Sequence, residues 1–337
     1  MMDKAYAYKN SKEILMQSSS GGAFIGICNA FVKFAGVDNN WSVYGVKFDD
    51  EFRVVHSRAT TIEECFEFCG SKYVQSDLNG CFEKVANDLK NGYYVLFTGT
   101  PCQVAAAKAY VAKCGCSIKY LYTMDIVCHG TPKPEFWMNY VKYLEKRNQS
   151  KLKKFSFRYK KNGWKGYPIL AEFENGKRYE NQFDVSTYMN LFRKNLLMRN
   201  SCFNCKYPGN FQSDITVADF WGVELCMPEV KTDGGVSLVL VHTENGMNLL
   251  NGMYSKDTLL NQVLDERYMN YNHNLKEKTV KPEAYDSFWN DYKEYGIEYV
   301  IDKYGENNFK GRFKFNLKRI LRDSGLLDIA KKLLKKG

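Results

Sequence analysis

Two cysteines separated by two residues form the clearest chemical motif of the sequence. They are Cys202 and Cys205, within residues 199–206. A loop of this length lets both sulfurs turn to the same side, where they can bind one metal centre together. A closed site with four ligands needs two more sulfurs or imidazoles, so the pair predicts half of a metal site.

Two cysteines upstream each follow an apolar run that is typical of a β-strand. Residues 93–97 lead to Cys102, and residues 121–127 lead to Cys128. If these runs are neighbouring parallel strands, both cysteines lie at the carboxyl edge of the sheet, where open α/β proteins build their sites. Four sulfurs could then meet above that edge: Cys102, Cys128, Cys202 and Cys205.

Cys102 belongs to a turn between a strand and a helix, at residues 99–105. Thr100 is placed to cap the helix, and Pro101 occupies its first position. The thiol of Cys102 therefore lies in the first helical turn, where the helix dipole stabilises a thiolate. This suits a metal ligand or a nucleophile. No arrangement of a histidine with a carboxylate surrounds it, so we favour metal ligation.

A glycine pair, Gly21 and Gly22, follows the serines at 18–20 and precedes a helical apolar pattern at residues 24–32. Such a pair lets backbone N–H groups approach an anion, for example the pyrophosphate of a flavin or nucleotide. The alternative is a serine cap followed by glycines that only permit a turn. From these residues alone, the simple turn is the favoured interpretation.

Two other pairs of cysteines are weaker candidates for metal ligands. Cys65 and Cys69 stand four residues apart in a predicted helix. Because free cysteine behaves as a small apolar side chain, we predict that they pack into the core. Cys114 and Cys116 are too closely spaced for a typical zinc pair and stay without an assigned role.

The composition is that of a globular protein. The 337 residues include 45% hydrophobic and 26% charged residues, and this length suggests about two domains. The sequence has no apolar run of membrane-spanning length and no apolar segment of the signal-peptide type at its start, so we expect a cytoplasmic protein. Eleven scattered cysteines do not indicate a disulfide framework.

The positive charge is concentrated at the end of the sequence. The net charge of the whole sequence is +10. Residues 310–337 contribute most of it, because they include ten basic and only two acidic residues. Residues 313–321 and 326–334 are also amphipathic, so residues 310–337 could rest on an anionic membrane surface. The alternative, a terminal helix with a solvated basic face, is equally well supported. Because little positive charge precedes this tail, the sequence disfavours a nucleic-acid-binding protein.

The order of apolar runs predicts an α/β (α+β) fold. We expect a mixed central sheet with flanking helices, a β-meander insertion and a C-terminal helical tail. Residues 41–48 and 53–56 indicate a hairpin, residues 151–185 the meander, and residues 187–198 a helix that leads to Cys202. Within the meander, four residues could form a lid, although a plain turn is favoured: Asn162, Trp164, Lys165 and Tyr167.

Six short motifs occur in a fixed order along residues 15–245. They are Ser20-Gly21-Gly22, Gly70-Ser71-Lys72-Tyr73, Pro101-Cys102-Gln103, Cys128, Cys202-Phe203-Asn204-Cys205 and the stretch 213–222. This ordered set resembles the beta-subunit family of coenzyme F-420 hydrogenase/dehydrogenase. The resemblance implies that the chain binds FAD and one [4Fe–4S] cluster, and that the flavin splits hydride transfer into single-electron steps through the cluster.

The resemblance also implies a role for particular residues. The cluster ligands would be Cys102, Cys128, Cys202 and Cys205. The flavin site would comprise Ser20, Gly21, Gly22, Lys72, Tyr73, Thr98, Gly99, Thr100, Pro101 and Gln103. The candidate catalytic residues, close to the inferred site, are Lys72, Tyr73 and His129. The residue types suit these roles, because soft thiolates hold iron and a glycine loop with a lysine suits a pyrophosphate.

On this resemblance, residues 1–150 would be a flavin-binding α/β part, residues 151–250 a β-rich part with the cluster loop, and residues 251–337 a helical region with the basic tail. Many relatives begin with a ferredoxin-like run of cysteines, whereas the first cysteine here is Cys28. Electrons would therefore come from a separate ferredoxin-like carrier.

Short relatives of this kind look like companions of glycan-assembly enzymes. We therefore expect an oxidoreductase that acts on a small organic or glycan-pathway substrate, in surface polysaccharide biosynthesis. The alternative is a zinc-stabilised, non-catalytic scaffold or binding protein in such a pathway, since four cysteines alone do not distinguish zinc from iron.

Overall fold

The fold is given by a computed structural model, which describes residues 4–36, 40–78, 80–160, 164, 168–306, 309–324 and 326. Backbone contacts divide the chain into two compact units. The first unit comprises Met1–Pro134 and Arg199–Thr279, and the second comprises Glu135–Met198 and Val280–Gly337. These units interleave along the chain, and their boundaries differ from the three predicted segments, which stay a prediction about domains.

The structure contains two β-sheets in its described part. The strands are β1 (Lys4–Lys9), β2 (Trp41–Phe48), β3 (Val54–Ala59), β4 (Tyr94–Gly99), β5 (Leu121–Ile126), β6 (Leu152–Ser156), β7 (Leu170–Phe173), β8 (Arg178–Glu180), β9 (Ile215–Asp219), β10 (Ser237–Val241) and β11 (Leu259–Gln262). The larger sheet has the order β11-β1-β10-β9-β5-β4-β2-β3, and the smaller has the order β6-β7-β8. The mixed sheet and the meander are thus confirmed.

The helices flank these sheets. They are α1 (Lys12–Gln17), α2 (Ala23–Ala35), α3 (Ile62–Cys65), α4 (Cys81–Lys90), α5 (Pro101–Lys113), α6 (Pro134–Asn148), α7 (Phe183–Arg193), α8 (Val223–Cys226), α9 (Glu244–Gly252), α10 (Tyr268–Tyr271), α11 (Tyr285–Tyr304) and α12 (Phe309–Asp323). Short 3-10 segments span Phe66–Phe68, Ile118–Tyr120, Asn200–Asn204 and His273–Leu275. Within the described ranges, no helix combines the length and apolar character that crossing a bilayer requires.

The centre of the large sheet is parallel. Strands β2, β4, β5 and β9 run in one direction, and β4 pairs with β5 from Val95 opposite Leu121 to Gly99 opposite Asp125. The sequence-based expectation that these two runs are neighbouring parallel strands is confirmed. Antiparallel strands extend the sheet on both sides of this parallel centre. One of them is β3, which forms the predicted hairpin with β2.

Helices cover both faces of this sheet, which explains why its central strands are almost continuously apolar. On one face, Val43 and Leu96 pack with residues of α2 and α9. On the other face, Val95 and Phe97 pack with residues of α4 and α5. The alternation along β4 therefore sends neighbouring side chains into two separate cores, as the pleat of a strand requires.

The second unit is built around aromatic side chains. The Trp137 ring of α6 lies 5.0 Å from Phe155 of β6 and 5.2 Å from Tyr188 of α7. Helix α7 starts at Phe183 and ends at Arg193, earlier than the predicted helix at 187–198. Of the predicted lid, Trp164 is buried. Its other members lie outside the described residues: Asn162, Lys165 and Tyr167.

Candidate functional site at the carboxyl edge of the large sheet

The turn after β4 positions the first of the predicted sulfur ligands. Thr100 is the cap residue of α5 and Pro101 its first residue, as the sequence predicted. The backbone N–H of Thr100 donates to Gln103 Oε1 over 3.0 Å, which satisfies a donor that the helix itself cannot pair. Cys102 follows in the first turn of α5 with an exposed side chain.

The loop that carries Cys202 and Cys205 is tied to the segment after Cys128. The backbone N–H of Arg199 donates to the carbonyl oxygen of Thr131 over 3.1 Å. In return, the backbone N–H of Thr131 points to Cys202 Sγ at 3.5 Å. These two contacts bring the end of β5 and the Cys202 loop together, although about 70 residues separate them in the chain.

A cavity of about 360 Å³ opens at this edge of the sheet, within the first unit. All four predicted sulfur ligands line it: Cys102, Cys128, Cys202 and Cys205. Desolvation of its sulfur raises the pKa of the Cys128 thiol to about 12, and negative charge on the other three cysteines acts in the same direction. A backbone hydrogen bond from Gly130 opposes that rise. The four sulfurs are therefore close enough to interact electrostatically.

The cysteines share this cavity without converging on one point. Across the described ranges, no group of three or more His, Cys, Asp or Glu side chains is arranged to hold a metal ion. A single zinc ion would require every sulfur at about 2.3 Å from one position. The predicted ligand set is thus brought together as neighbours, and its role as a metal site stays a prediction.

The predicted glycine turn is held by the sheet. The backbone N–H of Gly21 donates to Ser237 Oγ over 2.9 Å, and a Cβ at this position would overlap the backbone of Tyr8 and Ser237. Gly22 caps α2 in the left-handed conformation, with φ of 79°. Ser20 Oγ donates to the carbonyl oxygen of Val236. Close packing and a positive φ account for both glycines without a ligand, and their flavin role stays a prediction.

The loop with Lys72 and Tyr73 lies beside that turn. Ser71 donates through both its backbone N–H and its hydroxyl to Ser19 Oγ, at 2.7 and 3.0 Å. Lys72 Nζ donates to three carbonyl oxygens, those of residues 67, 68 and 69, over 2.9–3.2 Å. Desolvation lowers the pKa of Lys72 to about 8. Tyr73 is half-buried in the same loop.

A polar chain that the sequence did not indicate connects the same loop to the turn after β4. Gln103 Nε2 donates to Ser76 Oγ over 2.9 Å, and Ser76 Oγ lies 2.9 Å from His56 Nδ1. His56 Nε2 lies 3.1 Å from the carbonyl oxygen of Thr98, so this nitrogen carries the proton and Nδ1 accepts from Ser76. Burial lowers the pKa of His56 to about 4 and keeps it neutral.

Only part of the predicted flavin set reaches the cavity. Among its lining residues are Pro101 and the predicted catalytic residue His129, whose Nδ1 lies 3.0 Å from Asn274 Oδ1. The remaining predicted residues are not in its wall: Ser20, Gly21, Gly22, Lys72, Tyr73, Thr98, Gly99, Thr100 and Gln103. A backbone hydrogen bond from Gln75 to Pro132 nevertheless joins the Lys72 loop to the segment that follows Cys128.

Asp125 is a further cavity residue that the sequence analysis missed. It ends the buried part of β5, lines the cavity and is fully buried. Its Oδ1 accepts a hydrogen bond from Thr216, whose hydroxyl also contacts His242 Nε2 at 2.8 Å. Its Oδ2 has no hydrogen-bond partner among the described residues. Desolvation raises the pKa of Asp125 above its ordinary value. A polar residue ending an apolar strand at this edge was the available signal.

A comparison with known protein families shows a match over part of the sequence. A family profile for the C-terminal part of the beta subunit of coenzyme F420 hydrogenase/dehydrogenase matches residues 93–266, just over half of the chain. The chain belongs to this family. The match includes all four cavity cysteines and confirms the resemblance that the motifs indicated. At the level of the family, the chain is therefore related to subunits of oxidoreductases.

A solved structure supports the same fold. The chain is similar to a chain of the F420-reducing [NiFe] hydrogenase complex from Methanosarcina barkeri, with a TM-score of 0.53 and 15% identity. The similarity covers 87% of this chain and 93% of that one. Because the sequence identity is this low, the structural similarity supports the α/β fold alone. No curated protein matches the sequence.

Proposed function

We propose that the protein is a flavin-dependent iron–sulfur oxidoreductase and that Cys102, Cys128, Cys202 and Cys205 bind a [4Fe–4S] cluster. The observation that carries this proposal is that four cysteines from three separate parts of the chain line one cavity. Four thiolates are the usual ligand set of such a cluster. Each ligand binds a different iron atom, so the sulfurs need to surround a volume, whereas zinc needs them to meet at one point.

The surroundings of the sulfurs suit thiolate ligands. The backbone N–H groups of Thr131 and Gly130 point to the sulfurs of Cys202 and Cys128, respectively. Hydrogen bonds of this kind stabilise negative charge on sulfur and tune the reduction potential of a cluster. The raised pKa of Cys128 also means that binding of a cation must release its proton, which makes metal binding depend on pH.

FAD is the second group that we propose, and it would allow a hydride to be exchanged for single electrons. The residues proposed to hold it belong to the Ser20–Gly22 turn, the loop with Lys72 and Tyr73, and the turn at 98–103. Two of these segments are already joined by the bonds between Ser19 and Ser71. With its pKa lowered to about 8, Lys72 is still largely cationic at neutral pH, and it would bind a phosphate by exchanging one of its three carbonyl partners for a phosphate oxygen.

Asp125 and His129 are the cavity residues that we propose to hold a proton for the substrate. Desolvation raises the pKa of Asp125 and so makes its carboxyl easier to protonate, and Oδ2 is the oxygen that we propose to hold the proton. The Thr216 hydroxyl connects the other carboxyl oxygen to His242, which is half-exposed. Lys72 and Tyr73 remain the proposed catalytic residues on the flavin side.

The partners that we propose are a ferredoxin-like electron carrier and a small organic or glycan-pathway substrate, in surface polysaccharide biosynthesis. Lys206 and Lys278 are exposed residues of the cavity wall and would favour an acidic carrier there. The eleven cysteines are all free thiols, which suits the reducing conditions of the cytoplasm.

Anaerobic purification followed by iron, sulfide, zinc and flavin analysis tests the proposal. We expect a brown protein with iron, acid-labile sulfide and FAD. Cys202→Ser should lose the iron and its visible absorbance, whereas Cys226→Ser, a cysteine outside the cavity, should keep both. A colourless protein with stoichiometric zinc would instead indicate the scaffold role and would overturn the redox proposal.

A further inference from the structure

Helix α12 packs on the second unit through one of its faces. The ring of Phe315 lies 5.4 Å from the ring of Phe183, at the start of α7. The guanidinium of Arg312 lies over the same ring at 5.2 Å, and Gly311 is buried. These contacts fix which side of α12 faces the protein.

A second apolar face of α12 points to solvent. Phe313, Leu317 and Ile320 are 60%, 45% and 59% exposed. Their spacing of four and three residues places them along one stripe of the helix. Three large apolar side chains in a row on an exposed helix are a typical feature of an interaction surface rather than of a solvated face.

Positive charge borders this stripe. Lys314 and Lys318 are exposed, and each lies about 100° around the helix from the stripe residue before it, so both are on one flank of the stripe. The helix holds four more basic residues, and its one acidic residue is Asp323 at the end. An apolar stripe with lysines along its border matches a surface that is negatively charged outside and apolar beneath, which is the structure of an anionic bilayer leaflet.

We propose that α12 binds the surface of anionic membranes. The helix lies in the plane of the interface, with Phe313, Leu317 and Ile320 in the boundary between headgroups and acyl chains. Lys314 and Lys318 then reach the lipid phosphates. A second copy of the chain fits this face less well, since pairing two such helices brings lysines against lysines. This inference is independent of the redox proposal, because it requires neither flavin nor iron.

Sedimentation of the full chain with liposomes tests the inference. We expect binding to phosphatidylcholine vesicles that contain phosphatidylglycerol, and no binding to phosphatidylcholine alone. The double variant Leu317→Asn/Ile320→Asn should bind at least about tenfold more weakly, because it removes the apolar insertion. The double variant Lys314→Gln/Lys318→Gln should lose about fivefold per lysine at low salt.

A matched control is Ile118→Asn, which changes an equally exposed apolar residue in the first unit, with 58% exposure. It should bind anionic vesicles like the unchanged protein, and circular dichroism should show that all variants fold. Equal sedimentation with neutral vesicles, or no sedimentation with anionic ones, would overturn the inference. So would binding that depends on the two lysines and not on Leu317 and Ile320, because that pattern indicates general attraction to negative charge without insertion of the apolar stripe.

Discussion

The molecule contains two groups of neighbouring cysteines whose surroundings differ. Cys28 and Cys65 lie in the apolar core between α2 and the large sheet, and half-buried Cys69 packs against that core. Cys102, Cys128, Cys202 and Cys205 line the cavity at the carboxyl edge of that sheet. In both groups the thiols are close enough to influence one another's pKa. Closeness of sulfurs therefore does not by itself indicate a metal site, and the groups around the sulfurs have to be compared.

The core group has the environment of small apolar side chains. Cys28 and Cys65 are fully buried, and burial together with a hydrogen bond from the Cys28 thiol to Cys65 raises the pKa of Cys28 well above its ordinary value. A thiolate at Cys28 would be unsolvated, so this residue stays protonated. The predicted packing of Cys65 into the core is confirmed, whereas the predicted helix ends before Cys69, which is half-buried and packs against that core. The cavity group, in contrast, has backbone N–H donors and space beside its sulfurs.

The largest expected difference between the groups is in bound iron. Cys128→Ser removes a proposed ligand from the cavity, so anaerobically purified protein should contain little iron or sulfide. Cys28→Ser changes a buried thiol of the core and should leave the ratio of iron to folded protein unchanged. Iron analysis of both variants checks this. Loss of iron in both, at equal folded content, would mean that the two groups do not have separate roles.

An intermediate effect is expected on the free energy of unfolding of metal-free protein. Cys65→Ser places a hydroxyl in an apolar core and should destabilise the protein by about 1–3 kcal/mol. Cys205→Ser changes a half-buried residue of the cavity wall, and its effect should stay within about 0.5 kcal/mol. Urea unfolding in the presence of a chelator measures both. A similar loss of unfolding free energy in both variants would show that the cavity cysteines also contribute to core packing.

The smallest expected effect is a change in how stability depends on pH. Desolvation raises the pKa of Cys69 from 9.0 to about 12. The folded state therefore keeps a proton that the unfolded chain releases, and this contribution to stability is complete below pH 9 and is lost as the pH rises toward 12. Cys69→Ala should flatten that decline in urea midpoints. An unchanged slope in Cys69→Ala would contradict the assigned environment.

Local sequence patterns predicted the elements that carry the cavity. Apolar runs ending at Gly99 and Ile126 became parallel neighbours, and Thr100 with Pro101 started α5 as its cap residues indicated. These predictions succeeded because strand periodicity and helix capping depend on residues close together in the chain. The predicted bounds of α7 were wrong by four residues at the start and five at the end, since apolar periodicity does not mark the bounds of a helix sharply.

Contacts between distant residues were not predictable in this way. Lys72 pairs with three carbonyl oxygens of its own loop, and Gly21 is required by the backbones of Tyr8 and Ser237. Asp125 owes its raised pKa to burial on β5 beside β9, where its register partner Thr216 is about 90 residues away in sequence. A motif states which groups are present, whereas burial and partners depend on what the rest of the chain places beside them.

By itself, the sequence determined the strand-and-helix order, the family and the four cysteines that are able to meet. Only the tertiary structure decided that those four line one cavity while Cys28 and Cys65 are sealed in the core, and that α12 turns one apolar face inward and another outward. The physical reason is that residue type fixes the chemistry of a side chain, while desolvation and hydrogen bonding, which decide its protonation and its accessibility, arise from packing.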